Sequence, residues 1–304
     1  MKWYEVRTLA SARAKEFFDQ LPGIRDGVPD SVHAARVAGR RLRELLPLLA
    51  DEQTATRAKA ALADLGRRLG SVRDLDVMIA LLTEKEMVVP AAALAIAAAR
   101  RQLRTRVERE RRRLAKTLNH LELDPVAALR THSARSPWHS LRPLLPGNAA
   151  FAPVLRDRIG LRSDRLRTSV HHAGGLYFPH RLHATRKAIK KLRYAVEVAK
   201  DLGLWSPPHM LADLRKLQAI LGTLRDAAVL RDTLDSPIDG AVPRDEQATL
   251  VNVLDADVRR AHREYLSRRD RLLAIADACD RFVTRRSRVR IPVGTVLTLV
   301  HKAS

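Results

Sequence analysis

The segment around His33 occurs twice in this chain, and no other feature limits its fold as much. His33, Arg36, Val37, Ala38, Arg40, Arg41, Leu42 and Arg43 read H-x-x-R-V-A-x-R-R-L-R. His183, Arg186, Lys187, Ala188, Ile189, Lys190, Lys191, Leu192, Arg193 and Tyr194 read H-x-x-R-K-A-I-K-K-L-R-Y, 150 positions later. A second motif follows each copy: Leu69-Gly70-Ser71-Val72-Arg73-Asp74, and then Leu221-Gly222-Thr223-Leu224-Arg225-Asp226. Within each copy the step from the His to the Asp is nearly the same, 41 residues in the first and 43 in the second. Two ordered motifs at nearly one offset point to a duplicated helical unit.

Helical periodicity runs through nearly every segment outside the linkers, and strand-like alternation is almost absent. The first half predicts helices near 3–21, 30–50, 53–86 and 91–121, and the second near 152–172, 180–202, 208–235 and 244–284. Pro22 and Gly23 punctuate the first half, Pro47 should kink or end its helix, and Gly174 and Gly175 punctuate the second. Pro137, Pro143, Pro146 and Gly147 make 131–150 the best boundary. The expected fold is all-α, two four-helix bundles related by approximate two-fold symmetry. Residues 1–130 form the first repeat, 131–150 the linker, 151–290 the second repeat and 291–304 a tail.

Each His-bearing helix has two unlike faces. At about 100° per residue, Arg36, Arg40 and Arg43 fall within about 80° of His33. Ala38, Leu42, Leu45, Leu46 and Leu49 take the opposite side. In the second copy His183, Arg186, Lys190, Arg193 and Tyr194 share a face, flanked by Lys187 and Lys191, against Ala188, Leu192, Ala195, Val196 and Ala199. A solvated helix face usually mixes Lys with Glu. Here 33–43 and 180–196 contain no acid at all. Such a row of like charges is easier to understand if a polyanion relieves it.

The wider composition agrees. Lys and Arg number 56 against 34 Asp and Glu, a formal charge of +22. Nucleic acid, an anionic lipid surface or a phosphate polymer would match that charge. Histidine among cations is a poor metal ligand but a good hydrogen-bond donor to phosphate. Arg73 and Arg225 are further anion contacts, with Asp74 and Asp226 holding a cation in place. Gly70 and Gly222 suggest close helix–helix approach. The fourth helices add charge, with Arg104 and Arg111 on one face of the first and Arg260 on the second. Aromatics make up only 4% of the chain, so stacking platforms for single-stranded bases are scarce. One cysteine, Cys279, excludes an internal disulfide and a multi-cysteine zinc site. The first residues lack the apolar run of a signal peptide, and no stretch is long and apolar enough to span a bilayer. The expectation is a soluble, cytoplasmic protein without metal, cofactor or membrane partner.

These blocks resemble the CHAD family, the conserved histidine α-helical domain. The resemblance rests on His33 to Arg43, Leu69 to Val77, His183 to Tyr194 and Leu217 to Asp226, four blocks in order. It implies two four-helix bundles around a basic central cavity that binds inorganic polyphosphate without catalysis. His33, Arg36, Arg40, Arg43, His183, Arg186, Lys190 and Arg193 would line the site. Association with polyphosphate granules is a further implication. Many relatives carry a fused triphosphate-cleaving domain, whose E-x-E-x-K signature Glu84-Lys85-Glu86-Met87-Val88 does not reproduce. Glu44 stands where the second copy has Tyr194, so the halves need not contribute equally.

Two other readings compete. The charge permits non-specific nucleic-acid binding at low salt, although no helix-turn-helix, zinc finger or RNP-type motif is present. An enzyme of phosphate metabolism would need a Walker loop, His-Glu-x-x-His or an acidic pair for Mg²⁺, and none is recognisable.

Overall fold

The structure is a computed structural model, and it describes residues 3–49, 52–119, 124–127, 151–234 and 242–284. The linker at 131–150 and the tail at 291–304 lie outside these residues. All regular structure among the described residues is helical. In chain order the helices are α1 (Trp3–Phe18), α2 (Leu21–Arg25), α3 (Pro29–Leu49), α4 (Glu52–Val88), α5 (Ala93–Asn119), α6 (Asp124–Ala127), α7 (Phe151–Ala173), α8 (Pro179–Asp201), α9 (Met210–Leu234), α10 (Arg244–Leu266) and α11 (Arg269–Thr284). A 3₁₀ turn at Pro90–Ala92 leads into α5.

Apolar spacing explains how these helices pack. On α3, Val32, Ala35, Ala38, Leu42, Leu45, Leu46 and Leu49 are buried, a stripe at steps of three and four. On α8, Leu182, Ile189, Leu192, Val196 and Ala199 do the same. In the first half α1 packs on α3, α3 on α4, and α4 on α5. In the second half α7 packs on α8, α8 on α9, α9 on α10, and α11 on α7. The two groups share one apolar core. Between them α3 meets α8, α4 meets α9, and α5 meets α10. The helices that carry matching motifs are therefore the ones that touch.

Polar contacts fix this junction. Glu246 of α10 accepts hydrogen bonds from the backbone N–H groups of Leu94 and Ala95, at 2.8 and 3.2 Å. It thereby satisfies donors that the start of α5 leaves without helical partners. Lys85 of α4 pairs with the buried Asp257 of α10.

Two expectations need correction. The predicted first helix stops at Phe18, and Pro22 and Gly23 lie inside the short α2 rather than breaking the chain. The turn comes at Gly27, whose φ of 76° suits glycine. Pro47 lies two residues before Leu49, the last residue of α3, at the end where it was expected. The predicted helix 244–284 is two helices, α10 and α11, separated at Ser267 and Arg268. There the Ser267 hydroxyl donates to the Glu264 carbonyl at 2.9 Å, the local competition that favours a helix end. The break lets α10 pack on α9 and α5 while α11 turns onto α7.

Candidate functional site

With their apolar stripes buried, α3 and α8 turn their cationic faces toward one another. A cavity of about 840 Å³ lies between them. Arg36, Arg40 and Arg43 come from α3, and Lys187, Lys190, Lys191 and Tyr194 from α8. Helix α4 adds Lys59 and Arg67, and α7 adds Arg162 and Arg165. Glu44 is the one acid among the described residues of the wall. It is held by Arg162, at 2.5 Å, and by the more distant Arg158.

Several partly buried cations elsewhere among the described residues have an acid beside them. Arg13 has Glu16 and Asp201. Arg111 has Asp76 and Glu108. Arg193 has Glu197, and Arg231 has Asp232 and Asp255. Arg36, Arg40, Arg43, Arg73, Arg186 and Lys190 are also partly buried, yet among the described residues they form no ion pair. Desolvated charge without a partner is costly. These residues are the ones the two motifs place at the α3–α8 junction.

The electrostatics register that cost. Burial, with Arg40, Arg186, Arg36 and Arg43 nearby, pulls the Lys190 ammonium down to about 7. Burial and Arg40, Arg225 and Arg73, opposed by Asp74, bring Arg36 down to about 10. Burial lowers Arg186, Arg43 and Lys191 as well, with neighbouring cations adding to it and Asp226, for Arg186, or Glu44, for the other two, opposing. His33 is lowered by burial and then by Arg73, Arg36 and Arg40. His183 is lowered by burial and then by Arg225, Lys187, Arg186 and Lys190.

The two motifs of each half meet in space. The Arg36 guanidinium lies over Gly70, where an added Cβ would stand 2.8 Å from Nη1. Arg186 lies over Gly222, with 3.5 Å to Nη2. The close approach expected at these glycines takes a specific form: Gly70 makes room for Arg36, the arginine of the preceding motif, whereas Gly222 leaves Arg186 at an ordinary contact distance. Asp74 accepts a hydrogen bond from Arg225 across the junction at 2.9 Å, and Arg225 also reaches Asp226 at 3.5 Å. Asp226 is raised by burial, against the pull of Arg186 and Arg225. The two carboxylates thus occupy one electrostatic neighbourhood, a pair the sequence did not reveal, and Arg225 holds both.

The sequence candidates divide into three sets. Arg36, Arg40, Arg43, Lys187, Lys190, Lys191 and Tyr194 line the cavity. His33, Arg73, Arg186 and Arg225 form its flank, as their mutual electrostatics show. His183 and Arg225 also line a side pocket of about 340 Å³ between α8 and α9. The third set, Arg41, Arg104, Arg111, Arg193 and Arg260, is absent from the cavity wall. Arg193 is 7% exposed and donates to Glu197 at 2.5 Å and to Gln218 at 3.1 Å. Arg41 is 3.5 Å from the same Glu197 and ties α3 to α8. Arg111 is engaged by Asp76 and Glu108, and Arg260 by Asp257. Arg104 is exposed on α5, a helix that packs chiefly on α4 and α10.

Sequence reasoning missed Lys59, Arg67, Arg162 and Arg165. A signal for the last two was present: Arg158, Arg162 and Arg165 stand at steps of four and three, one row along α7. Glu197 was missed too, although it stands four residues after Arg193. Among the described residues no cluster of three or more His, Cys, Asp or Glu could hold a metal. No described helix is long and apolar enough to cross a membrane.

A family model described as CHAD domain matches residues 8–235. No curated protein matches the chain. The structure of PptA from Streptomyces chartreusis is similar at a TM-score of 0.61 and 19% identity, covering 91% of this chain and 99% of that one. The crystal structure of the CHAD domain from the plant Ricinus communis aligns at a TM-score of 0.47 and 21% identity, covering 93% and 92%. At these identities the first match is a likeness of fold.

Proposed function

The chain belongs to the CHAD domain family, and from that premise we propose that it binds inorganic polyphosphate in the α3–α8 cavity without altering it chemically. One observation carries this reading. Partly buried cations from two facing helices surround a cavity and form no ion pair among the described residues. A flexible chain of phosphates supplies the missing charge and can follow a concave wall that a duplex cannot enter. Arg grips phosphate oxygens with two donors, while Lys acts as a point charge. The two carboxylates of the site support binding rather than catalysis, because Arg225 engages both Asp74 and Asp226. We read residues 1–130 and 151–290 as repeats of one domain, a reading supported by the pairing of α3 with α8 and α4 with α9. A cytoplasmic location, on polyphosphate granules, follows from the same proposal.

The test is a salt-titrated competition. Labelled long-chain polyphosphate is bound to the protein, then challenged with duplex DNA, single-stranded RNA and triphosphate. Arg36→Ala with Arg186→Ala runs beside the parent. Six neutralised phosphates correspond to a slope of about −4 in log affinity against log salt, on the single-strand scale. The double variant should lower that slope by one to two and release the polymer, on the order of the contribution of two phosphate contacts. Equal displacement by DNA or RNA per charge, with an indifferent variant, would leave only non-specific surface charge and reject the proposal.

A further inference from the structure

A second basin opens beside the cavity, in the groove between α7 and α8. It encloses about 620 Å³ and is lined by Arg165, Thr168, Ser169, His172, His180, Arg181 and Ala184, with no acid among the described residues of its wall. Arg165 lines both spaces. Between them the charge does not lapse. Lys191, in the cavity wall, feels Arg165 first among its neighbours, then Lys187 and Arg162. Glu44, in the cavity wall, is engaged by Arg162, and Asp164, next to Arg165 on α7, by Arg167. Arg165 itself forms no ion pair among the described residues.

The basin is also ordered in advance. Arg181 donates to the His172 carbonyl at 3.1 Å, and its guanidinium lies 4.3 Å from the centre of the Phe178 ring. These contacts fix its position and leave further N–H groups for an anion. His180 stands beside the same ring. From Lys191 back to His180 the α8 axis covers about 16 Å, at 1.5 Å per residue. A small phosphate compound in the cavity does not reach that far, but a polymer does.

We propose that a polyphosphate chain longer than the cavity leaves it over Arg165 and continues along the α7–α8 groove into this basin, where His172, His180 and Arg181 hold it. The inference rests on the proposed binding of polyphosphate in the cavity, and it adds a separate subsite that only a long chain reaches.

Two variants of the full chain test it, Thr168→Glu and the pair His172→Ala with Arg181→Ala. Thr168 is exposed on α7, and Glu is a good helix former. Affinities for triphosphate and for long-chain polyphosphate are measured by calorimetry, with melting temperature as the check on folding. Both variants should bind triphosphate as the parent does and bind the long polymer about tenfold more weakly, with a salt slope smaller by about one per charge removed. Long-chain affinity equal to the parent's overturns the subsite. Equal loss for both ligands overturns it as well, because the substitutions would then act on the cavity or the fold. A parent protein that ignores long-chain polyphosphate altogether rejects the proposed function itself, a result distinct from either.

Discussion

Lys190 stands where Arg36, Arg40, Arg43 and Arg186 converge, and its ammonium is held at about 7. In the empty protein it is mostly charged at pH 6 and mostly neutral at pH 8. A polyanion restores the charged form, so binding takes up a proton across that window. Affinity for polyphosphate should therefore fall as pH rises from 6 to 8, by about tenfold from Lys190 alone. His33 and His183, both lowered, act in the same direction at the acid end. Lys190→Arg keeps its charge and should flatten the profile; a flat profile in the parent would remove Lys190 from the contact. The two motif glycines make a second comparison. Gly70→Ala must displace Arg36, whereas Gly222→Ala meets Arg186 at an ordinary contact distance. Alanine is favoured over glycine in a helix by about 1 kcal/mol. Gly70→Ala should thus fold at least as stably and bind several-fold more weakly, while Gly222→Ala keeps its affinity. Denaturation and binding curves on the two variants check this. The stripe residues were legible because their spacing put them opposite an apolar face. Arg193 shares that spacing with Arg43, yet Glu197 lies one turn away and draws it inward, while Arg43 has Pro47 at the same step.

Among the elements, α8 serves two purposes. Its Lys190 side faces the cavity, while Arg193 and Glu197 face α9 and α3. Glu197 is 6% exposed and faces Arg193, Arg41 and Arg215. Removing its charge leaves buried cations uncompensated. Glu197→Gln should cost about 3 kcal/mol of folding free energy, measured by urea denaturation, whereas removal of an exposed acid such as Glu108 should cost well under 1 kcal/mol. Helix existence was readable in the sequence because the apolar periods are long and the Pro and Gly punctuation is dense. The break between α10 and α11 was not, since nothing but Ser267 marks it locally. Its cause is tertiary, the different partners of the two helices. The contribution of α7 to the cavity was equally hidden, because Arg162 and Arg165 belong to neither repeated motif.

At the scale of the whole molecule, the junction between the two groups of helices depends on contacts with no signature in the sequence: Glu246 at the start of α5, Lys85 on Asp257, and Asp74 on Arg225. These link positions on different helices, so periodicity within one helix does not reveal them. The same junction concentrates like charge. Because Lys190 is lowered on folding, the unfolded chain binds more protons between pH 7 and its ordinary value, and the empty protein gains stability as pH rises through that range. Polyphosphate should reverse part of this, raising the melting temperature more at pH 6 than at pH 8 in calorimetric scans. An equal rise at both would place the stabilisation outside the cavity.

The glycine seat beneath Arg36 carries a wider consequence. A guanidinium seated against a bare backbone has its reach set before any guest arrives, so little freedom remains to be surrendered on contact. The fold has borne that loss in advance, at the expense of its own cohesion. Depriving cells of the guest should then shorten the lifetime of this protein, and the amount of protein present would follow the supply of what it holds.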